Sequence, residues 1–254
     1  MVIDTHLHAG RQGIFSLSFG QLVEQMDRSG IDNGLVSTVE CCEYCADSDE
    51  LLSGQVPQLA ANQTLLDKAA GSGGRLYLSF WCKPATETAD AAVYDFIRRN
   101  RALVRGLKFH PFYSRLPLED RRYIPFIEMA EQLALPVSVH TAADRLSSPE
   151  QLLALARRHP AIPFIMVHMG LGSDNESAIR CLPQADNLFG DTTWVPLDKV
   201  QKTMELCGSG KMLFGSDAPI DGDKSYVFYE EMLRMRGSDW ENLLYRNAER
   251  LFGI

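Results

Sequence analysis

Five of the six histidines in this 254-residue chain stand where they could meet. His6 and His8 close the first apolar run, which begins at Val2. His110 follows a run ending at Phe109, His140 follows Val137-Ser138-Val139, and His168 follows Phe164-Ile165-Met166-Val167. Each run reads as a strand, so each histidine lies at or just beyond a strand's C-terminal end. His159, at a helix end before Pro160, falls outside the pattern and reads as a surface residue. Side chains two apart on a strand share a face, so Asp4, His6 and His8 point one way, as do Lys108 and His110. Asp217 closes the last apolar run, Phe214-Gly215-Ser216-Asp217.

Two imidazoles projecting together from a His-x-His strand make a good chelate, but alone the pattern is as readily a surface strand. Here Val2, Ile3 and Leu7 argue for burial, where unpaired imidazoles are costly. A single buried histidine is commonly a hydrogen-bonded core residue, and Asp217 alone could cap the turn before Ala218-Pro219. Repetition at four strand ends favours a shared ion. Imidazole and carboxylate ligands suit one divalent metal, Zn2+ first, with Mn2+, Fe2+ or Co2+ also compatible. Three neutral histidines and one aspartate leave an open coordination position. Water held there is drawn toward a pKa of ~7 and supplies hydroxide at neutral pH.

The elements that must position these groups alternate regularly. Strands are expected at 2–6, 34–39, 75–81, 104–109, 137–140, 164–167, 188–192 and 211–215. Helical spacing falls at 21–29, 58–70, 88–101, 124–134, 149–158, 176–182 and 197–207, with two further helical patterns at 226–235 and 240–251. Ser148-Pro149-Glu150 has the form of a cap followed by Pro at the first helical position. Eight strands, each followed by a helix, predict an α/β chain folded as one (β/α)8 TIM barrel domain over 1–254. Such barrels build their sites at the C-terminal strand ends, where the histidines lie. A doubly wound open sheet would not need eight strands, and no G-x-G-x-x-G follows the first.

Composition agrees with this reading: 45% apolar, 23% charged, and 25 Lys+Arg against 33 Asp+Glu, a net charge of -8. That balance argues against nucleic acid or anionic membrane as partners and leaves room for a local cation to hold an anionic small-molecule substrate. No apolar run approaches the ~20 residues of a membrane span. The N-terminus carries no basic or apolar leader, so a cytoplasmic location is expected; a homo-oligomer is compatible with the sequence.

The motifs Asp4-Thr5-His6-Leu7-His8, Gly106-Leu107-Lys108-Phe109-His110-Pro111, Val139-His140-Thr141, Val167-His168-Met169-Gly170, Phe214-Gly215-Ser216-Asp217-Ala218-Pro219 and Asn247-Ala248-Glu249-Arg250-Leu251-Phe252-Gly253 occur in one order along the chain. In that order they resemble the amidohydrolase superfamily, and most closely the amidohydrolase-2 branch of TIM-barrel metal-dependent hydrolases. That branch includes aminocarboxymuconate-semialdehyde decarboxylase and pyrone-dicarboxylate lactonase. The resemblance implies that His6, His8, His140 and Asp217 are the metal ligands. It makes Asp217 also the proton shuttle, and His168 a catalytic acid/base or electrophile, or a ligand if a second metal binds. Lys108 matches the position of a carboxylated bridging lysine in binuclear relatives; in this branch it looks more like a substrate-anion position, which favours one metal.

The remaining candidates are less sharply defined. A lysine inside an apolar strand end needs an anion, so Lys108 is expected to hold substrate with His110. Arg11, Tyr113, Arg145 and Trp194 each follow a strand. Each could grip a carboxylate or flat ring, or belong to surface pairing and rim packing. Cys41, Cys42 and Cys45 follow the second strand; a zinc or redox role lacks a second cysteine pair, and a plain loop is the simpler reading. Asn62 and Gln63 read as a loop-bracing pair.

The expected function is a metal-dependent hydrolase acting on a small carboxylated amide, ester or lactone through an activated water. The alternative on the same ligands is a non-oxidative decarboxylase. A non-catalytic binding barrel is the reading from another class, and the intact ligand set argues against it.

Overall fold

Strands buried on both faces read as unbroken apolar runs, and Phe164-Ile165-Met166-Val167 is one, buried throughout. The computed structural model describes residues 1–254 apart from the side chain of Asp223. Its strands are β1 (Ile3–Gln12), β2 (Phe15–Leu17), β3 (Asn33–Thr38), β4 (Leu76–Trp81), β5 (Val104–Phe109), β6 (Val137–Ala142), β7 (Phe164–Leu171), β8 (Leu188–Asp191) and β9 (Met212–Leu213). They form one sheet in the order β2-β1-β3-β4-β5-β6-β7-β8-β9. All neighbours are parallel except the β1–β2 hairpin. The sheet curls until its ends meet. Thr5 N donates to Phe214 O at 2.9 Å, Asp217 N to His6 O at 2.9 Å, and His8 N to Ala218 O at 2.8 Å. These bonds form the seam of a (β/α)8 barrel.

The crossovers are α1 (Phe19–Ser29), α2 (Gln58–Ala70), α3 (Ala91–Arg99), α4 (Pro111–Ser114), α5 (Ile124–Gln132), α6 (Pro149–Arg158), α7 (Glu176–Cys181) and α8 (Leu197–Cys207). The chain ends in α9 (Glu230–Arg234), α10 (Ser238–Glu241) and α11 (Asn247–Phe252). The Ser148 cap is a full capping box, with Gln151 reaching back to the Ser148 backbone. Among the described residues no helix is long and apolar enough to cross a membrane. Alternate strand residues Ile3, Leu35, Ile165, Val167, Phe189 and Leu213 pack with Ala248 and Phe252 of α11. The C-terminal helix thus plugs the barrel at the end opposite the histidines.

Several element ends shift by a few residues, the last expected strand shortening to Met212–Leu213, and two regions differ more. The first strand runs past His6 to Gln12 and turns back through β2. The Gln12↔Phe15 pair encloses a two-residue turn, and Gly13 supplies its positive φ of 55°. The tail at 226–235 is mostly a single 3-10 turn followed by the short α9.

Where the β1–β3 register shifts between Asp4 and Leu7, Gly34 lies opposite Asp4. A Cβ there would stand 3.0 Å from the Asp4 carbonyl oxygen and collide with the Leu7 side chain. We predict that Gly34→Ala lowers unfolding free energy by about 1–3 kcal/mol, read as a lower urea midpoint at unchanged slope; an unshifted midpoint would show that β1 gives way freely.

Candidate active site

Each histidine of β1 meets a hydroxyl at its Nδ1. Ser37 on β3 lies 3.1 Å from His8 Nδ1 and 3.4 Å from the Leu7 carbonyl, so it can accept the Nδ1 proton while donating to that carbonyl. Thr193 donates to Asp191 Oδ2 at 2.9 Å, so its oxygen accepts from His6 Nδ1 at 3.0 Å. Asp191 is fully buried, and its Oδ1 accepts the backbone N–H groups of His168 at 2.9 Å and Thr193 at 3.1 Å. With its proton on Nδ1, His6 turns an Nε2 lone pair inward, and His8 presents its Nε2 on the same side.

The two Nε2 atoms converge on Asp217. His8 Nε2 lies 3.0 Å from His6 Nε2 and 3.0 Å from Asp217 Oδ1, and His6 Nε2 lies 3.4 Å from the same oxygen. Burial, then the charge of Lys108, holds His6 well below its usual range, so it is neutral near pH 7. Burial pushes Asp217 up, but the facing His6 and His8 outweigh it and keep the carboxyl ionised. The Lys108 ammonium reaches this cluster from below, 2.9 Å from His6 Nε2, and all three convergent atoms are types that ligate metals. Ligand atoms about 2.0–2.1 Å from one ion are spaced roughly 2.9–3.4 Å apart, so the residues present fit a divalent metal. The hydroxyls on Nδ1 are the partners that orient metal-binding imidazoles.

His168 joins this group: His6, His168 and Asp217 offer ligand atoms within 4.8 Å of one another. His140 stands outside that group, its ring 4.8 Å from His168 and stacked at 3.9 Å on His110. Of the expected ligands, His6, His8 and Asp217 are in mutual contact, while His168 lies nearer the centre than the sequence suggests. His140 Nδ1 and His168 Nδ1 are buried without a hydrogen-bond partner among the described residues. Burial lowers His168 to about 4 and His140 and His110 well below their usual range, so these rings are neutral. His168, Trp194 and Asp217 hold positive φ values of 67°, 58° and 68°. Such backbone costs of order 1–3 kcal/mol each and clusters at functional sites.

A cavity of about 350 Å3 opens above this floor. His6, His8, His110, His140, His168 and Asp217 line it below, and Phe15, Trp81, Phe112 and Tyr113 form flat walls. Trp81 lies parallel to His110 at 5.3 Å. His110 is in place as expected, but four other substrate candidates are not. Arg11 is exposed on the β1–β2 hairpin, paired across from Ser16. Arg145 is exposed, its carbonyl accepting from Gln151 Nε2, in a turn tied by Asp144, which itself lines the cavity while Arg145 does not. Trp194 does not line the cavity; its indole N–H holds Asp217 Oδ2 at 3.0 Å. Lys108 is buried beneath the cavity, its Nζ 2.9 Å from His6 Nε2. Burial lowers this lysine to about 8, while the charges of Asp217 and Asp191 favour its ammonium form. Among the described residues no lysine or arginine lines the cavity.

Sequence reasoning missed Ser37, Thr193 and Asp191, whose small polar side chains carry no spacing signal. It also missed Trp81 as a wall. Asn62, read as a brace, holds Trp81 by accepting from its N–H and donating to its carbonyl, both at 3.1 Å. Cys41 and Cys42 are buried, and burial pushes both thiols up, which leaves them inert.

The family model described as amidohydrolase matches residues 3–254. No curated protein sequence matches the chain. Among solved structures, 5-carboxyvanillate decarboxylase from Sphingomonas paucimobilis is similar at 16% identity and TM-score 0.73, over 100% of this chain and 99% of that one. A putative 2-pyrone-4,6-dicarboxylic acid hydrolase from Pseudomonas putida is similar at 16% identity and TM-score 0.70, over 99% of this chain and 97% of that one. The decarboxylase from Novosphingobium aromaticivorans, complexed with manganese and 4-hydroxy-3-methoxy-5-nitrobenzoic acid, is similar at 13% identity and TM-score 0.71, over 100% and 96% of the two chains.

Removing the hydroxyl that fixes His8 should loosen the ion without unfolding the barrel. We predict that Ser37→Ala weakens Zn2+ or Mn2+ affinity by about 10- to 100-fold in competition with a chromophoric chelator, while the metal-free melting temperature stays within a few degrees of wild type. An unchanged affinity would mean that Ser37 does not orient the ring.

Proposed function

The chain belongs to the amidohydrolase family, and from that premise we propose that it is a metal-dependent hydrolase of a small, flat amide, ester or lactone. The observation that carries this reading is the set of three convergent ligand atoms on His6, His8 and Asp217 at the floor of an aromatic-walled cavity. His168 is the nearest further ligand, with His140 beyond it. One divalent ion in that set, zinc first by its donor types, supplies Lewis acidity and lowers the pKa of water beside it.

The protein's own groups do the rest. Asp217, ionised and 13% exposed, accepts the proton of the attacking water and returns it to the leaving group. Trp194 holds Asp217 Oδ2, so the carboxylate plane is fixed before substrate arrives. Neutral His168 and His140 line the cavity, where an imidazole N–H can donate to the oxygen that gains charge. His110 and Trp81 stack against a planar substrate. With no cationic side chain on the walls, a substrate carboxylate or carbonyl is met by the ion and the imidazoles rather than by Lys108. Lys108 instead balances the charge of the floor.

That same lack of wall cations favours a second reading. A carboxylate placed against aromatic walls is poorly solvated, which suits loss of CO2, and similar folds include decarboxylases of substituted benzoic acids. A panel of lactones, N-acyl amines and aromatic acids separates the two. We expect a new carboxylate and no CO2 from the metal-loaded enzyme. Asp217→Asn should lose about 10²- to 10⁴-fold in kcat while remaining folded. CO2 release from the acids alone would replace the hydrolase reading, and near wild-type turnover in the Asn variant would remove Asp217 from the chemistry.

A further inference from the structure

The hairpin that the sequence did not announce builds a second chamber. β1 and β2 reach over the barrel mouth, and beyond them lies a further cavity of about 380 Å3. Its walls come from the hairpin (Gln12, Gly13, Ile14) and from the loop after β3 (Cys45, Ala46, Leu52). Phe15 and Tyr113 line both this chamber and the catalytic cavity. Their rings meet edge to face at 5.9 Å, so a single aromatic pair is the partition. The chamber is mainly apolar, yet Gln12, 91% buried by its 9% exposure, keeps an Nε2 donor with no partner among the described residues. A buried donor left unmade costs about 1–3 kcal/mol, and a shift of the Gln12 amide into the chamber would let a ligand acceptor relieve it.

We propose that the outer chamber is a substrate subsite: the molecule places its carbonyl or carboxylate head on the histidine floor and passes an apolar acyl or aryl tail, bearing one acceptor oxygen, between Phe15 and Tyr113. The proposal rests on the catalytic cavity being the substrate site, but not on which bond is broken there. Continuity identifies the occupant, because the chamber shares its inner wall with the cavity that holds the reacting group. Swinging either ring joins two rooms that together hold a molecule larger than either one.

Cys45 reports on occupancy without catalysis. It is half-buried in the chamber wall, and half-buried Cys207, on α8, is an internal reference. Cys45 alkylation by iodoacetamide, followed by peptide mass spectrometry, is measured with benzoate, 3-phenylpropanoate, 5-phenylpentanoate and 5-oxo-5-phenylpentanoate as probes, on zinc-loaded and zinc-depleted protein. We expect benzoate to leave Cys45 unprotected and the two five-carbon acids to protect it. Affinity should rise about fourfold per added methylene, and the oxo acid should bind more tightly than its parent. Ala46→Trp, or independently Asp47→Trp at an exposed position, should fill the chamber and flatten the dependence on length. Equal protection by short and long acids, or an unchanged slope in both filled variants, overturns the proposal. If no lactone, amide or acid is turned over but length-dependent protection persists, the hydrolase reading falls and the subsite stands.

Discussion

The site depends on a simple electrostatic constraint: two imidazole nitrogens and a carboxylate oxygen are crowded within 3.4 Å of one another in a buried floor. His6 could relieve the crowding by protonating Nε2, but the Thr193 oxygen already holds its Nδ1 proton and burial disfavours a second one. Asp217 could relieve it by turning away, but Trp194 and a left-handed backbone hold it in place. Each alternative is closed by a neighbour, so the arrangement persists. Lys108 approaches it from below.

That constraint explains the division of labour around the cavity. Polar side chains without metal-binding chemistry, Ser37, Thr193 and Asp191, sit behind the imidazoles and set their tautomers. Asp4, which strict alternation places beside His6, instead turns to Ser216 and Tyr226 and braces the first strand to the segment after the last one. Burial pushes its carboxyl up to about 7, against the opposing hydrogen bonds. Large apolar rings occupy the walls, where they shape the cavity without competing for the ion.

The barrel was legible in the sequence because apolar runs and helical spacing alternate with little ambiguity, and the strand ends were marked by residues that are costly to bury. His6, His8 and Asp217 come together as their positions suggest, because strand parity and barrel topology fix where such residues can point. Direction was harder to read for residues beyond the strands. Arg11 and Arg145 follow strands in sequence, yet a hairpin and an aspartate-tied turn carry them to the surface. Lys108 obeys parity, but parity does not say how deep a side chain lies, and its ammonium stops at His6. The β1–β2 hairpin was hidden because its second strand is three residues long, Phe15-Ser16-Leu17, too short to show a period.

The seam of the barrel has a thermodynamic consequence. Its hydrogen bonds run from Asp217 N to His6 O and from His8 N to Ala218 O, so the residues that would hold the ion are also the hinge pins of the closed sheet. Anything that ties His6, His8 and Asp217 together therefore also ties the last strand to the first. A ligand that binds the closed form at 100 times its dissociation constant adds about 2.7 kcal/mol to that form. Opening of the seam and ion release then become one equilibrium. Free-metal concentration would set both how often the barrel breathes and how long the N- and C-terminal halves stay joined.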